Sequence, residues 1–287
     1  MTESGRPSVH RRRLGAALKR YRMAADLDQP QVAEVIAAHP TRVSRIETGH
    51  VVARPIEIRA MLKAYGIADL AVRDKLEALA KRTAGRGWWS EYAAYLRPDF
   101  LDHLMLEDDA TRMGQWQPVL VPGLLQTRAY AEAVIAGGPA TLEPEHVAAL
   151  VEVRRRRQDR LAERGARYDV VVWEATIMHP LTTVETHRDQ LAAILEFGAR
   201  ENITVQVLPF SAGALVAASS GFTSFSFDSE ELVEAVTMDD LMSTPVLDSP
   251  QDLAVYTRAF DLLRAAALSH EESMKLVNET LKSLDEE

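Results

Sequence analysis

The sequence predicts a multidomain protein, with an all-α domain at the N-terminus followed by a mixed α/β (α+β) domain. The chain has 287 residues, which is long for a single domain. Before residue 84 its apolar residues recur at helical spacing, whereas beyond that point strand-like runs alternate with helical segments. The segment Gly85-Arg86-Gly87 separates the two patterns. We therefore expect domains over residues 1–84 and 85–287.

The first two helices are predicted from an apolar stripe and a capping motif. Four apolar residues at helical spacing mark the first helix, namely Leu14, Ala17, Leu18 and Tyr21. The second helix is expected to begin near Asp28, whose carboxylate can cap it, and Gln31 stands where a capping box requires it. The inner face of this helix is expected to consist of Val32, Val35 and Ile36.

The third helix is predicted to begin at His39-Pro40, because proline suits the first helical position and disfavours helix in the residue before it. Val43 and Ile46 are expected to point inward, and Gly49 to end the helix. Two more helices are predicted over 55–65 and 69–84.

The second domain is predicted to interleave helices and strands. Helical patterns cover residues 98–114, 124–136, 144–164, 187–200 and 250–284. Strand-like runs cover residues 168–173, 203–208, 222–227 and 232–238. This alternation is typical of a sheet covered by helices.

The charge is divided unevenly along the chain, whose formal net charge is −9. Residues 1–65 contain 12 Lys/Arg and 6 Asp/Glu, a net charge of +6, which leaves −15 for the remainder. A basic domain on an acidic body favours an anionic partner such as nucleic acid. The chain has no cysteine, no signal-peptide pattern and no apolar run of membrane-spanning length, so we expect a cytoplasmic protein.

The segment Leu27 to Gly49 reads LDQPQVAEVIAAHPTRVSRIETG. It resembles, without a gap, the Xre family of helix-turn-helix regulators, which includes the lambdoid phage repressors. The resemblance rests on Gln29 at the start of the second helix, Ala33 in its middle, and the run Val43-Ser44-Arg45-Ile46-Glu47 before Gly49. It implies a lambda-repressor-like fold whose third helix enters the major groove of double-stranded DNA.

The resemblance also implies roles for individual residues. It assigns DNA contacts to Gln29, Pro40, Thr41, Arg42 and Arg45. Gln29 would grip the DNA backbone, and Arg45 is the side chain best suited to pair with a guanine. Arg22 and Glu47 match the positions of a structural ion pair in phage repressors.

Residues 86–284 resemble a domain of unknown function that follows such readers in actinobacterial regulators of the WhiJ-like or antitoxin-like kind. The most specific mark is Val121-Pro122-Gly123-Leu124-Leu125-Gln126-Thr127. The resemblance implies a regulatory role, with a small protein encoded nearby as a partner. Together the two resemblances predict a transcriptional regulator that binds DNA as a homodimer. The alternative is an antitoxin-like protein that sequesters its partner and regulates its own operon.

The remaining motifs give no indication of catalysis. Glu174, His179 and His187 have no metal-ligand spacing, so no catalytic residue, metal or cofactor is expected, and the effector stays unspecified. The arginine-rich segment 154–164 binds an anion or, as we favour, forms a solvated face. The aromatic residues Trp88, Trp89 and Trp116 are either packing residues, the reading we favour, or the lining of a ligand pocket.

Overall fold

The computed structural model describes residues 7–84, 87–218, 220–227, 232–238, 240 and 243–286. The chain divides into two compact units, Met1–Ser90 and Glu91–Glu287. The described part of the first unit is helical, and the second contains a six-stranded mixed sheet with helices. The predicted fold class is therefore confirmed. The predicted boundary residues Gly85 and Arg86 lie outside the described residues.

The described part of the first unit contains five α-helices, which are α1 (Val9–Ala24), α2 (Gln29–Val35), α3 (Pro40–Glu47), α4 (Pro55–Ala64) and α5 (Leu70–Ala84). The predicted capping box at the start of α2 is confirmed. The backbone N–H of Gln31 donates to Asp28 Oδ1 and that of Asp28 donates to Gln31 Oε1, both at 2.8 Å. The helices share one apolar core, which includes Leu14, Leu18, Val32, Val43, Ile46, Ile58, Met61 and Leu62.

The predicted inner face of α2 is wrong at one position, because Val35 is 47% exposed. The small Ala33, which is 2% exposed, takes its place in the core beside Val32. At about 3.6 residues per turn the buried residues Val32, Ala33 and Ile36 share one side of the helix, and Val35 lies beyond the edge of that side.

The second unit contains the strands β1 (Arg112–Gln117), β2 (Arg167–Trp173), β3 (Ile203–Leu208), β4 (Phe222–Ser226), β5 (Ala235–Met238) and β6 (Val246–Leu247). Their order in the sheet is β3-β2-β1-β4-β5-β6. The first three strands are parallel to one another, whereas β4, β5 and β6 each pair antiparallel with the preceding strand in the sheet. The sheet therefore changes from parallel to antiparallel between β1 and β4.

The helices of the second unit are α6 (Pro98–Asp109), α7 (Arg128–Ala136), α8 (Pro144–Arg164), α9 (Glu174–Met178), α10 (Val184–Gly198), α11 (Pro250–Ala266) and α12 (His270–Glu286). Helix α11 covers one face of the sheet, where Phe260 packs with the fully buried Trp116 of β1. Helix α6 lies on the other face, where His103 contacts Thr237 of β5. In the described part of the chain, no helix is long and apolar enough to cross a membrane.

Strand β1 is the main correction to the predicted elements. The helix predicted over 98–114 ends at Asp109, and residues 112–117 form a strand between β2 and β4. On the face of β1 that packs into the core, Trp116 is accompanied by Gly114. Apolar Met113 stands on the other face with Gln115 and Gln117, so no clear alternation is visible in the sequence. The short strand β6 also carried no signal, and the predicted helix over 250–284 is two helices, α11 and α12.

Gly114 sets the distance between β1 and α11. A Cβ atom at Gly114 would lie 2.6 Å from Cε1 of Phe260 and 2.8 Å from Oγ of Ser224. The Phe260 ring belongs to the core and the Ser224 hydroxyl donates to the Gly114 carbonyl at 3.0 Å, so neither atom is free to move. This contact requires glycine at the centre of β1.

We predict that Gly114→Ala lowers the free energy of unfolding by about 1–3 kcal/mol, because the added methyl overpacks the core. Urea unfolding of the full chain, followed by far-ultraviolet circular dichroism, measures the loss. Phe260→Leu provides the control, since it makes room for the methyl. The double variant should be more stable than the sum of the two single losses predicts, and additive losses would refute the proposed contact.

Candidate nucleic-acid interface

Helices α1 and α3 cross closely at Gly15. A Cβ atom at this position would lie 2.4 Å from the carbonyl oxygen of Glu47 and 2.5 Å from that of Ile46. No other residue type allows the backbone of α3 to approach α1 this far. The crossing fixes the C-terminal end of α3 against the rest of the first unit.

A buried carboxylate joins three helices at the same place. The Glu47 side chain on α3 is 1% exposed and accepts from Arg22 of α1, with Nε–Oε1 2.6 Å and Nη2–Oε2 3.2 Å. Gln29 of α2 donates from Nε2 to Glu47 Oε2 at 2.9 Å. Arg22 also donates from Nη1 to the carbonyl of Leu27 at 2.7 Å. The hydrogen bond with Glu47 raises the pKa of Arg22 above its ordinary value.

The turn between α2 and α3 contains a residue in the left-handed region, Ala37, with φ of 50°. The backbone N–H of Ala38 donates to the carbonyl of Ala33 at 2.9 Å, which closes the turn. His39 then caps α3, because its Nδ1 accepts from the backbone N–H of Thr41 at 3.3 Å. The imidazole thus fills the cap position, where serine, threonine, asparagine or aspartate is more usual.

The outer side of α3 is polar and accessible. Val43 is fully buried and Ile46 is 2% exposed, so these two residues face the core. Thr41 and Arg45 are exposed, and Pro40 before them is half-buried. Within the described residues the Arg45 guanidinium has no hydrogen bond or ion pair, so it is available to an external ligand.

Arg42 is held differently, by a second buried carboxylate. Its Nε donates to Glu57 Oε1 at 2.7 Å and its Nη2 to Glu57 Oε2 at 2.9 Å. Glu57 also accepts from the backbone N–H of Arg54 at 2.7 Å and from Arg54 Nη2 at 2.8 Å. Burial alone would raise the pKa of Glu57, but the hydrogen bonds from Arg42 and Arg54 lower it to about 2. The sequence interpretation missed Glu57, although its place three residues after the cap position of α4 was a readable signal.

Two protein-family models match the chain, one in each unit. A helix-turn-helix domain matches residues 13–76. A domain of unknown function (DUF5753) matches residues 100–279, which is more than half of the chain. The chain belongs to the DUF5753 family. No curated protein and no solved structure matches it.

The helix-turn-helix match supports a DNA-binding regulator, because this motif places its second helix in the major groove. In this DUF5753 protein that helix is α3. Seven residues are predicted from the sequence to be DNA contacts or members of the ion pair. Five of them lie on α3, namely Pro40, Thr41, Arg42, Arg45 and Glu47. The structure places Gln29 and Arg22 beside Glu47, where Arg22 is buried and Gln29 is half-buried.

Most arginine side chains of helix α8, in the DUF5753 domain, pair with carboxylates. Arg155 donates from Nη1 to Asp159 Oδ2 at 2.7 Å and from Nη2 to Glu152 Oε1 at 2.6 Å. These contacts fit the interpretation of a solvated face. Arg157 departs from that interpretation, because it is 8% exposed and pairs with the buried Glu107 of α6.

Of the three residues considered for a metal or catalytic site, His187 and Glu174 make structural contacts with the backbone. His187 is buried, and its Nε2 lies 2.9 Å from the carbonyl oxygen of Ile177. Burial lowers the pKa of His187 below its ordinary value. Glu174 accepts a hydrogen bond from the backbone N–H of Phe210, and His179 is exposed. Among the described residues, no group of three or more His, Asp or Glu could hold a metal ion.

We predict that Glu47→Ala lowers the free energy of unfolding by about 1–3 kcal/mol, because Arg22 then loses the carboxylate that compensates its burial. Urea unfolding of the full chain measures the change. Glu34→Ala removes an exposed carboxylate on α2 and should change the same quantity by less than about 0.5 kcal/mol. Equal stability of the Glu47→Ala variant and the parent chain would contradict the structural role of Glu47.

The pKa of Glu57 predicts a pH-dependent contribution to stability. Its folded-state pKa of about 2 lies below its ordinary value of 4.5, so the stabilisation is complete above pH 4.5 and is lost as the pH falls toward 2. We expect Glu57→Gln to cost about 2–3 kcal/mol at neutral pH, with a shrinking cost below pH 4.5. Thermal unfolding across pH measures this difference. Glu34→Gln should show no such trend, and a cost for Glu57→Gln that is independent of pH would exclude the assignment.

Proposed function

We propose that this chain is a sequence-specific, DNA-binding transcriptional regulator of the Xre type, with α3 as its recognition helix. The observation that carries the proposal is the outer side of α3. Thr41 and Arg45 are exposed there, while the opposite side is anchored by buried Val43 and Ile46. The helix-turn-helix match over residues 13–76 supports the same function.

Arg45 is the residue that we propose reads a base. It lies four residues after Thr41, so the two side chains project from one side of the helix. A guanidinium can donate two parallel hydrogen bonds to O6 and N7 of guanine, which discriminates against other bases by about 1–3 kcal/mol. The positive charge of residues 1–65 supports binding of the DNA backbone.

Gln29 and Arg42 are proposed to position the protein on the backbone. Gln29 Nε2 donates one N–H to Glu47, which leaves its second N–H for a phosphate. Glu57 accepts from Nε and from one N–H of Nη2 of Arg42, which leaves both N–H groups of Nη1 and the second one of Nη2. Because Glu57 holds the guanidinium in place, we propose that Arg42 contacts a phosphate and that Arg45 reads the base. Pro40 is proposed to contribute apolar contact at the start of α3.

The finer parts of the proposal rest on the sequence resemblance. We propose a homodimer, because one helix-turn-helix reads only half a site, and a cytoplasmic location, where the DNA is accessible. Residues 1–84 would bind DNA, and residues 85–287 would mediate dimerisation and sense an effector or partner rather than catalyse a reaction. Membership of the WhiJ-like kind, and the antitoxin-like alternative with a small protein partner, stay predictions. Co-purification of such a protein from its native source would favour the alternative.

We predict that Arg45→Ala weakens binding to the preferred site by about 1–3 kcal/mol and abolishes the preference at one base pair. The measurement is titration of the full chain against a site selected from random DNA and every single-base change of it. Gln29→Ala should weaken all sequences alike, because a backbone contact carries no sequence information.

Arg59→Ala is the matched control for this experiment. Arg59 is an exposed arginine on α4, so its removal deletes the same charge away from α3. It should leave every base preference intact. If Arg45→Ala likewise keeps all preferences and only lowers affinity uniformly, α3 does not read DNA through Arg45. If no sequence is enriched from random DNA, the proposed function fails as a whole.

A further inference from the structure

A polar cavity of about 80 Å³ lies on the sheet face that α6 and α8 cover. Its floor includes Gln115 and Gln117 at the carboxyl end of β1, Thr223 of β4 and Thr237 of β5. The parallel part of the sheet changes to the antiparallel part at this point, between β1 and β4. In open sheets covered by helices, ligands bind at the carboxyl ends of strands where the strand order reverses. The position is therefore suited to a ligand.

One wall of the cavity contains a buried, charged cluster. Arg157 of α8 donates from Nε and Nη2 to the two oxygens of Glu107 of α6, each at 2.7 Å. His103 lies between this pair and the sheet, with Nε2 3.3 Å from Arg157 Nη2 and Nδ1 2.8 Å from Oγ1 of Thr237. Burial alone would raise the pKa of Glu107, but Arg157 lowers it to about 2, so the carboxylate is ionised. An apolar cluster would provide comparable stability without this desolvation cost, so these charges suggest a function.

The segment of Gly123 and Gln126, which packs against α8, contains a hydrogen-bond acceptor without a partner among the described residues. Gln126 is 4% exposed, and its Nε2 donates to the carbonyl of Val121 at 2.7 Å, which orients the amide. Its Oε1 is buried and has no hydrogen-bond partner among the described residues. A buried acceptor left in this state costs about 1–3 kcal/mol, which a donor group on a bound molecule would recover. Gly123 in the same segment leaves room for Arg157, whose Nη1 would lie 3.2 Å from a Cβ there.

The lining specifies the chemistry of the ligand. Arg154 and Arg157 contribute two guanidinium groups, and Glu107, which pairs with Arg157, contributes one carboxylate, so the remaining positive charge favours a carboxylate ligand. Gln126 Oε1 requires a hydroxyl or amino donor on the same molecule. At about 30 Å³ for each water molecule, 80 Å³ corresponds to about three waters, so only a small molecule fits.

We propose that this cavity binds a small hydroxy acid or amino acid. The carboxylate faces Arg154 and Arg157, and the hydroxyl or ammonium group donates to Gln126 Oε1. If the protein is the regulator proposed above, this molecule is its effector; that role rests on the proposed function, whereas the binding itself does not. The aromatic pocket considered from the sequence is not this site, because Trp116 lies in the core on the opposite face of the sheet.

Isothermal titration of the full chain with L-lactate, L-serine and propionate tests the proposal. At least one of the first two should bind with a dissociation constant below about 1 mM, and about tenfold more tightly than propionate, which lacks the second polar group. If neither L-lactate nor L-serine binds, or if propionate binds equally well, the proposal is overturned.

Two variants locate the binding within the cavity. Thr223→Val removes a hydroxyl from the floor at nearly constant volume, and Gln126→Met removes the acceptor. Gln126→Met should weaken binding of the acid by about tenfold or more, the loss of a hydrogen bond to a buried group. Thr223→Val should weaken binding to a smaller extent, because it makes the floor of the cavity less polar. Val119→Thr alters a residue that is 63% exposed on the same loop and should bind normally. Circular dichroism verifies folding, and Thr223→Val remains informative should Gln126→Met not fold. Unaltered binding to a folded Thr223→Val or Gln126→Met variant would place the ligand elsewhere and overturn the proposal.

Binding to the selected DNA site is measured on the same samples, with and without the acid. Acid binding without any DNA preference retains the cavity site and rejects the regulator. A DNA preference without acid binding retains the regulator and rejects the site. Both activities with a changed DNA affinity support the effector role, whereas an unchanged affinity rejects that role alone.

Discussion

The geometry of the first unit depends on the buried contact between Arg22 and Glu47 at the crossing of α1 and α3. The crossing is possible because Gly15 has no side chain, and the guanidinium then reaches the carboxylate from α1 at 2.6 Å. Gln29 extends the contact to α2. A single carboxylate therefore sets the angle between all three helices of the motif, and with it the direction in which α3 presents its outer side.

A second carboxylate holds the other end of the same helix. Glu57 of α4 binds Arg42 in the first turns of α3, while Glu47 holds the last turn. Fixing both ends lowers the entropy that α3 loses when it enters a groove, which is the physical basis of preorganised binding. On this helix Arg42 is engaged by Glu57, whereas Arg45 is exposed.

In the second unit, the two faces of the sheet have different surroundings. One face of β1 packs through Trp116 into an apolar core with α11. The other face presents Gln115 and Gln117 to a cavity lined by α6 and α8. A core strand that carries polar side chains toward buried charges sacrifices hydrophobic stabilisation, and such an arrangement is common where a protein binds small polar molecules. The ion pair of Arg157 and Glu107 lies beside the same cavity.

The sequence by itself determined the features that depend on neighbouring residues. The capping box at Asp28, the proline start of α3, and most helices and strands were predictable, because hydrogen bonds and apolar periodicity within a few residues specify them. Only the tertiary structure decided that Val35 lies outside the core, that β1 is a strand and that Glu57 binds Arg42. These features depend on which distant segments pack together, so they cannot be predicted from the propensities of neighbouring residues.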